Sequence, residues 1–232
     1  MTPPSSRTRS RFLRDNGLTL VFAVMFLLTL GAQALSGVAL YNQQAVSDGV
    51  DPVGLLEYVT SSDFAVDVAE NWQSEYLQFL LYIVLTAWFV QRGSPESKSP
   101  EDIGLGSDED QMVGRGARPD SPRWARASGP RLWIYSNSLG AVMGVLFLLS
   151  WLAQSVAGVS AFNEQQLRQL QAPVSWAQYL ISAEFWNRTL QNWQSELLAV
   201  ASMAALSIYL RQRGSPESKP VGAPHATTSV EG

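Results

Sequence analysis

The chain is constrained most by two long stretches that contain no charged residue. No Asp, Glu, Lys or Arg occurs between Asp15 and Asp48, or between Arg131 and Glu164. Each stretch exceeds the roughly 20 apolar residues that cross the hydrocarbon core of a bilayer. Charged residues make up only 16% of the chain, against about 25% in ordinary soluble domains. The sequence therefore indicates a membrane protein and excludes a purely soluble one.

A tandem duplication organises the rest of the chain. Adding 121 to each residue number aligns two copies without a gap, and two segments are then identical. Residues 71–75 (NWQSE) return as 192–196, and residues 91–98 (QRGSPESK) return as 212–219. Self-similarity of this kind indicates a repeated structural element, so the two copies are predicted to share one fold.

Each copy contains a long apolar helix, a polar connection and a second apolar segment. Leu18–Leu40 and Leu139–Phe162 are long enough to span a bilayer. The second segments are shorter, so a full crossing must begin near Asn71 and Asn192. A buried helix of a soluble domain is the alternative for these shorter segments. The predicted fold is an all-α membrane protein with four transmembrane helices, arranged as two tandem parallel two-helix repeats with short interfacial helices in the outer loops.

Composition divides the chain into five predicted parts. The two segments that follow the second spans are rich in Gly, Pro, Ser and charge, which is typical of disorder. The parts are a basic cytoplasmic N-terminus (1–15), a first two-helix membrane repeat (16–92), a disordered cytoplasmic linker (93–131), a second two-helix membrane repeat (132–213) and a disordered cytoplasmic tail (214–232).

The N-terminal region also matches the pattern of a secretory signal peptide. Arginines precede the apolar run, and Ala32-Gln33-Ala34 is similar to a cleavage site. Against cleavage, the apolar run continues past Ala34 to Leu40, and its counterpart at 139–162 is internal. We favour an uncleaved span, and removal of the N-terminus stays open.

The distribution of basic residues predicts the orientation. Fourteen of the 16 Lys and Arg residues lie before the first span, between the two copies or after the last span. Such residues are retained on the cytoplasmic side of a membrane. Both termini and the linker are therefore predicted to be cytoplasmic, with residues 43–70 and 164–191 outside. The basic flanks are expected to contact anionic lipid headgroups.

Several motifs resemble those of a known family. The segments RDNGLTLVF, AQALSG, ENWQSEYLQ and QRGSPESK are similar to a family of uncharacterised bacterial integral membrane proteins built from a duplicated two-helix unit, a domain of unknown function. The resemblance covers essentially the whole membrane-embedded chain. It implies a multi-pass protein of the bacterial cytoplasmic (inner) membrane, and it implies no activity.

Catalytic signatures are absent from the sequence. There is no cysteine, and His225 is the single histidine, so disulfides and Cys/His metal sites are excluded. We find no phosphate loop and no hydrolase or metalloprotease motif. We therefore expect a non-enzymatic protein with no catalytic residue, cofactor or metal. Membrane lipids are the expected partners, with a homo-oligomer as a further option and nucleic acid disfavoured because no domain carries the basic residues.

Two functional alternatives stay open beside an unassigned membrane role. One is a small transporter or channel for an ion or small solute. The other, an enzyme acting on lipid headgroups, rests only on the acidic outer loops. For either function, one candidate polar site stands out, because each second span takes one glutamate into the membrane. The site is predicted to contain Glu75, Glu196, Gln33, Gln154, Asn71 and Asn192.

This polar site also has a purely structural interpretation. A charged carboxylate at this depth costs several kcal/mol unless it finds a partner or a proton. Each glutamate would then extend to the headgroups or bond locally to fix its helix. A functional site would instead use the glutamates to bind a cation, a proton or a headgroup.

Overall fold

The computed structural model describes residues 6–229. Parts of the predicted basic N-terminus, including the side chains of Arg7 and Arg9, and the end of the predicted tail lie outside that description. The undescribed parts are residues 1–5, residues 230–232 and the side chains of residues 6–10.

Within residues 6–229 the secondary structure is helical and contains no strand, which confirms the predicted all-α class. Two single-turn 3-10 helices, Pro100–Asp102 and Gly114–Gly116, lie in the linker. The α-helices are, in chain order, α1 Ser6–Asp15, α2 Gly17–Ser47, α3 Leu55–Val59, α4 Ser62–Leu85, α5 Pro130–Ser136, α6 Ser138–Arg168, α7 Trp176–Leu180 and α8 Ala183–Leu206.

An asparagine precedes each of the two long helices. α2 and α6 have 31 residues each and follow Asn16 and Asn137. The amide groups of these asparagines donate to the carbonyl oxygens of Phe12 and Trp133, at 2.9 and 2.8 Å. A side chain that bonds to nearby backbone competes with regular helix geometry. Each asparagine therefore separates a short helix from the long helix that follows it.

Each long helix is followed by a residue in the left-handed conformation. Gly49 has φ +74° after α2, and Leu170 has φ +57° after α6. In both cases the next backbone N–H donates to the carbonyl five residues earlier, at 2.8 Å, as in a Schellman motif. Glycine adopts this conformation freely, whereas leucine loses roughly 1–2 kcal/mol.

Serine caps determine where the shorter helices begin. Ser175 caps α7 in a capping box with Gln178. Ser61 and Ser182 accept backbone N–H bonds at the starts of α4 and α8, at 3.3 and 3.2 Å. The short helices α3 and α7 lie in the polar connections, where the sequence predicted short helices, and α4 and α8 have 24 residues each.

The helices of the second half repeat the bounds of those in the first. Adding 121 to the bounds of α2, α3 and α4 gives those of α6, α7 and α8. The serine cap of α4 recurs at α8 and the left-handed residue recurs at the same shift, whereas Gly54, the counterpart of Ser175, makes no side-chain cap. Equivalent sequence positions therefore adopt equivalent local structure.

The described chain divides into two compact units. The first contains the residues up to Ala65 together with Ser160–Pro173, and the second contains Val66–Val159 and the chain from Val174 onward. In the first unit, Tyr58 of α3 is buried beside Gly37 of α2, where a Cβ would overlap the tyrosine hydroxyl.

The second unit contains the same close approach. Tyr179 of α7 is buried beside Gly158 of α6, and a Cβ on this glycine would again overlap the tyrosine hydroxyl. The absence of a side chain at the glycine therefore lets the short helix pack directly against the long one. Burial raises the pKa of Tyr179 to about 12, so its phenol stays neutral in this contact.

Two of the described helices, α2 and α6, are long and apolar enough to cross a membrane. Their apolar side chains are largely uncovered: Leu18 is 75% exposed and Leu28 is 68% exposed. α4 and α8 are long enough but fall below the same threshold of apolarity. Length and composition thus identify two of the four spans expected from the sequence.

The linker and the tail, which are predicted from composition to be disordered, contain hydrogen-bonded turns. The Gln91 N–H donates to Ser97 Oγ at 2.7 Å, and the Gln212 N–H donates to Ser218 Oγ at 2.9 Å. These bonds close the two QRGSPESK turns in the same way. Serine side chains commonly bond to nearby backbone groups in turns.

Candidate functional site

The two asparagines of the predicted polar site bond to their own helices. Asn71 Nδ2 donates to the Asp67 carbonyl at 2.7 Å, and Asn192 Nδ2 donates to the Arg188 carbonyl at 3.1 Å. These bonds run four residues back along α4 and α8. Asn71 and Asn192 therefore act locally, and neither amide is bonded to a glutamate side chain.

The two predicted glutamates lie near each other. Glu75 on α4 is exposed and Glu196 on α8 is half-buried. Their carboxylates interact electrostatically and repel one another. Within the described part of the chain, neither makes a hydrogen bond or an ion pair. The structure thus brings together one acidic residue from each copy, without a cation beside them.

The two predicted glutamines have different environments. Gln33 on α2 is half-buried. Gln154 on α6 is fully buried, and its Nε2 atom donates to Thr189 Oγ1 at 3.3 Å. The Oε1 atom of Gln154 is buried without a hydrogen-bond partner. An unsatisfied buried carbonyl costs about 1–3 kcal/mol. The packing around this amide must therefore offset that cost.

A second buried amide was not among the predicted site residues. Gln73 of the first NWQSE segment is fully buried on α4, and its Oε1 atom accepts the indole N–H of Trp193 at 2.7 Å. Its Nε2 atom and the indole nitrogen of Trp151 are buried and unpartnered. The second NWQSE segment contains the same glutamine as Gln194. The two glutamines therefore differ only in how they are packed.

Aromatic rings surround this polar cluster. Trp151 contacts rings from α6 and α8 with centroid separations of 5.6 to 6.1 Å. Such tilted and stacked pairs contribute about 0.5–1.5 kcal/mol each beyond area burial. The rings around Trp151 belong to Phe147, Phe185, Trp186 and Trp193.

An ion-pair network connects α4 and α8 on the N-terminal side of Gln73 and Trp193. Arg188 Nε donates to Glu70 Oε2 at 2.6 Å, and Arg188 Nη2 donates to Asp67 Oδ1 at 2.7 Å. Burial alone would lower the pKa of Arg188. The hydrogen bonds to Glu70 and Asp67 and the negative charges of these two residues outweigh burial, so the pKa is raised. Burial also raises the pKa of the Glu70 carboxyl. The guanidinium thus stays charged, and its positive charge compensates the negative charges of Asp67 and Glu70 on α4.

A second network lies in the first unit, where α2 and α6 end. Tyr41 Oη donates to Glu164 Oε1 at 2.7 Å, and Arg168 Nη2 donates to the same phenol oxygen at 2.6 Å. Arg168 also pairs with Glu164 at 2.5 Å and with Asp48 at 3.5 Å. The two basic residues of the polar connections, Arg168 and Arg188, therefore each bind acidic partners.

Two adjoining cavities lie between α4, α8 and the QRGSPESK turns. Their volumes are about 310 Å³ and about 320 Å³. Both are lined by Gln78, Tyr82, Glu96 and Val200, and Glu217 lines the second. Tyr82 donates its hydroxyl proton to Glu96. Each cavity therefore combines a carboxylate from a QRGSPESK turn with the side chains of both helices.

The lysines of the QRGSPESK turns bind backbone oxygen atoms. Lys98 Nζ donates to the Gly104 carbonyl at 2.5 Å. Lys219, which is buried, donates to the carbonyl oxygens of Gly93 at 2.5 Å and His225 at 2.8 Å. Burial lowers the pKa of Lys219. The ammonium groups are thus used to fix the turns, and the glutamates of the same turns keep no basic partner in the described chain.

Metal-ligating groups do not gather among residues 6–229. No set of three or more Asp, Glu, His or Cys side chains in that part of the chain is placed to hold a metal ion. The acidic side chains described above occur in pairs or beside arginine.

Over residues 6–229, these features define an all-helical structure with two helices that are long and apolar enough to span a membrane. The chain belongs to the family described as a domain of unknown function (DUF6766), whose family model matches residues 9–230. Curated proteins and solved structures give no match to this chain.

Proposed function

We propose that the chain is a four-span integral membrane protein built from two tandem two-helix repeats. The gap-free shift of 121 residues and the two identical segments support the duplication. The matching bounds of α2, α3 and α4 with α6, α7 and α8 support one fold for both copies. In this arrangement α2, α4, α6 and α8 cross the membrane.

The lengths of α4 and α8 support their role as spans. At 1.5 Å per residue, a helix of 24 residues is about 36 Å long, which exceeds a hydrocarbon core of about 30 Å. The C-terminal parts of both helices carry exposed apolar side chains. Examples are Phe79 on α4 and Leu198 on α8, and Leu198 is 60% exposed. Lipid contact removes this apolar surface from water. The spans begin near residues 72 and 193, after the Arg188 network.

The charge distribution supports an inside location for both termini. Fourteen of 16 basic residues then lie on the cytoplasmic side. The short helices α3 and α7 would lie at the outer surface with aromatic residues at headgroup depth. By resemblance of its motifs, the protein belongs in the bacterial cytoplasmic membrane, with lipids and a second copy of the chain as its partners.

The function that this arrangement supports best is transport of a small cation or proton along α4 and α8. The observation that carries the proposal is the pair Glu75 and Glu196, which lack a basic partner and lie on the helices that border the cavities. Ionisable residues inside spans are costly and typically mark ion or proton pathways. Gln78 and Tyr82 are polar residues of α4 that lie between Glu75 and the QRGSPESK turns, and both line the second cavity. The role is non-enzymatic, in keeping with the absence of a catalytic motif.

The test is flux in proteoliposomes that contain the full chain. Vesicles loaded with a pH-sensitive dye, or with potassium or sodium ions, report proton or cation movement under an imposed gradient. We expect flux above that of empty vesicles, with at least a tenfold loss in the Glu75→Gln plus Glu196→Gln protein. The matched control is Glu57→Gln plus Glu109→Gln, two exposed glutamates outside the spans.

Each outcome decides the proposal. Flux that disappears in the first double variant and persists in the control supports the pathway. Equal flux in all three proteins rejects the pathway along α4 and α8. Absence of proton, potassium and sodium flux in the folded, reconstituted parent chain rejects transport of these ions and leaves a structural role for both glutamates.

A further inference from the structure

We infer that the paired cavities between α4, α8 and the QRGSPESK turns form a binding site for a hydrophobic organic cation, a bulky ammonium or phosphonium group. The inference goes beyond the proposed transport function, because binding at this site requires neither flux nor the Glu75 and Glu196 pair.

The size and walls of the cavities indicate the body of the ligand. Small-molecule sites generally have volumes of about 300–1,000 Å³ and mostly apolar walls, and each cavity reaches about 310 or 320 Å³. The first cavity is lined largely by apolar side chains from both helices and from the segment after α4. These include Leu81, Leu85, Phe89, Leu197 and Ala204.

The charge of the cavities indicates the head of the ligand. Glu96 lines both cavities and Glu217 lines the second. Tyr82 donates its hydroxyl proton to Glu96, and Tyr82, Glu96 and Glu217 line the second cavity together. Neither carboxylate has an ion pair within the described chain. An anion would be repelled by two uncompensated carboxylates, whereas a cation would be attracted.

Three nearby basic side chains donate to backbone carbonyl oxygens instead of pairing with these carboxylates. Lys98 and Lys219 donate to backbone carbonyl oxygens. Arg211 donates to the carbonyl oxygens of Ser207, Ile208 and Ala223, at 3.0 to 3.2 Å. The chain therefore provides several cations near the turns but uses none of them to neutralise Glu96 or Glu217.

A bulky organic cation fits this combination better than a metal ion. A hydrated metal ion gains little from apolar walls, and no group of three or more Asp, Glu, His or Cys side chains in the described chain is placed to hold one. A weakly hydrated cation with an apolar body fills the cavity and pairs its charge with the carboxylates. Tyr82 and Phe89 line the first cavity, and aromatic rings of this kind attract organic cations through cation–π contacts.

The test is equilibrium binding to the full chain in nanodiscs of phosphatidylcholine, with empty nanodiscs as the baseline. The probes are radiolabelled tetraphenylphosphonium and tetraphenylborate, which have the same shape and opposite charges. We expect saturable binding of tetraphenylphosphonium and no saturable binding of tetraphenylborate. The zwitterionic lipid avoids attraction of the cation to an anionic membrane surface.

Charge and space are then varied separately. Glu96→Gln plus Glu217→Gln should weaken binding about tenfold or more, since the cation loses both of its charged partners. The matched control is Glu101→Gln plus Glu109→Gln, which alters two exposed glutamates of the linker. Ala204→Trp should abolish binding by filling the cavity while both carboxylates remain.

Each result supports or overturns the site. Loss of binding in both cavity variants, with the control unchanged, supports it. Equal binding of the two probes shows nonspecific apolar adsorption and overturns it, as does full affinity in the Glu96→Gln plus Glu217→Gln protein. Absence of binding to the folded parent chain also overturns it. Flux can fail while binding succeeds, so rejection of transport and rejection of this site remain distinguishable.

Discussion

Trp193 donates its indole N–H to Gln73 Oε1 at 2.7 Å, and so joins the two identical NWQSE segments. Gln73 is fully buried, whereas Gln194, the same residue of the other segment, is exposed. Identical sequence therefore occupies two environments within one chain. The two segments serve different structural purposes despite their common origin in the proposed duplication.

This asymmetry predicts unequal effects of the same substitution. Gln73→Ala should lower the free energy of unfolding by about 1–3 kcal/mol, because it leaves the N–H of the half-buried Trp193 without its acceptor. Gln194→Ala, the matched control, should change it by less than about 0.5 kcal/mol. Melting temperatures of both proteins in nanodiscs provide the measurement. Equal losses in the two variants would contradict the structural difference.

The proposed four-span topology predicts a specific labelling pattern. The chain has no cysteine, so single cysteines can be placed at the exposed positions Thr60, Ser107 and Gln169. Four spans put Thr60 and Gln169 outside and Ser107 inside. A membrane-impermeant thiol reagent should then label the first two in intact cells, and Ser107 only after permeabilisation.

The same three positions discriminate between four spans and two. If only α2 and α6 crossed the membrane, with the N-terminus inside, Thr60 and Ser107 would both be labelled from outside and Gln169 would be protected. That pattern would reject α4 and α8 as spans. The parent chain without cysteine serves as the background control.

The glycine and tyrosine contacts predict a position-dependent effect of alanine. Gly158→Ala would force a Cβ into the buried hydroxyl of Tyr179, and overpacking of this kind costs about 1–3 kcal/mol. In the control Gly144→Ala, the nearest atoms lie 3.8 Å away on Leu80, an ordinary contact. The control should be neutral or slightly stabilising, since alanine favours helix by about 0.5–1 kcal/mol over glycine.

Melting curves in nanodiscs distinguish the two glycine variants. We expect a lower melting temperature for Gly158→Ala only. A Gly158→Ala protein as stable as the parent would show that α7 does not pack against α6 through this contact.

The Arg188 network predicts a loss of stability when the arginine is removed. Arg188→Gln leaves the Glu70 carboxylate, whose side chain is only 16% exposed, without its partner. Breaking a buried pair costs about 3–5 kcal/mol, and the 30% exposure of Arg188 should bring the loss to the lower end of that range. Arg115→Gln, an exposed arginine of the linker, should leave the melting temperature unchanged.

Exchange of the charges gives a stricter test. Asp67→Arg plus Arg188→Asp keeps one acid and one base at the contacting positions, and it should recover part of the stability that Arg188→Asp alone loses. Failure of the exchange to recover any stability would show that the Arg188 network depends on Glu70 alone.

Sequence patterning predicted the helices well and their ends less well. The long apolar runs beginning at Leu18 and Leu139 lie inside α2 and α6, which extend beyond them to Ser47 and Arg168. The extensions carry polar residues, so hydropathy alone did not include them. Hydrogen bonds continue a helix regardless of polarity until a left-handed residue ends it.

The candidate site was predicted only in part, for a physical reason. Hydropathy places Glu75 and Glu196 in the second segments, but it does not fix how α4 and α8 are rotated. That rotation depends on packing, and it buries Gln73 while it leaves Glu75 exposed. The cavity residues Glu96 and Glu217 were also missed, because their segments were interpreted as disordered on composition alone.

The contact between Asp67 and Arg188 has a consequence for how such a protein can arise. The two residues occupy corresponding positions, 121 residues apart, and bond at 2.7 Å. A homodimer of a single two-helix protein would place identical residues at this contact, either two aspartates or two arginines. In the proposed duplication, fusion of two genes frees each position to evolve separately, so opposite charges can meet. A chain made of two first copies, or of two second copies, would therefore set like charges against each other at the centre of the contact.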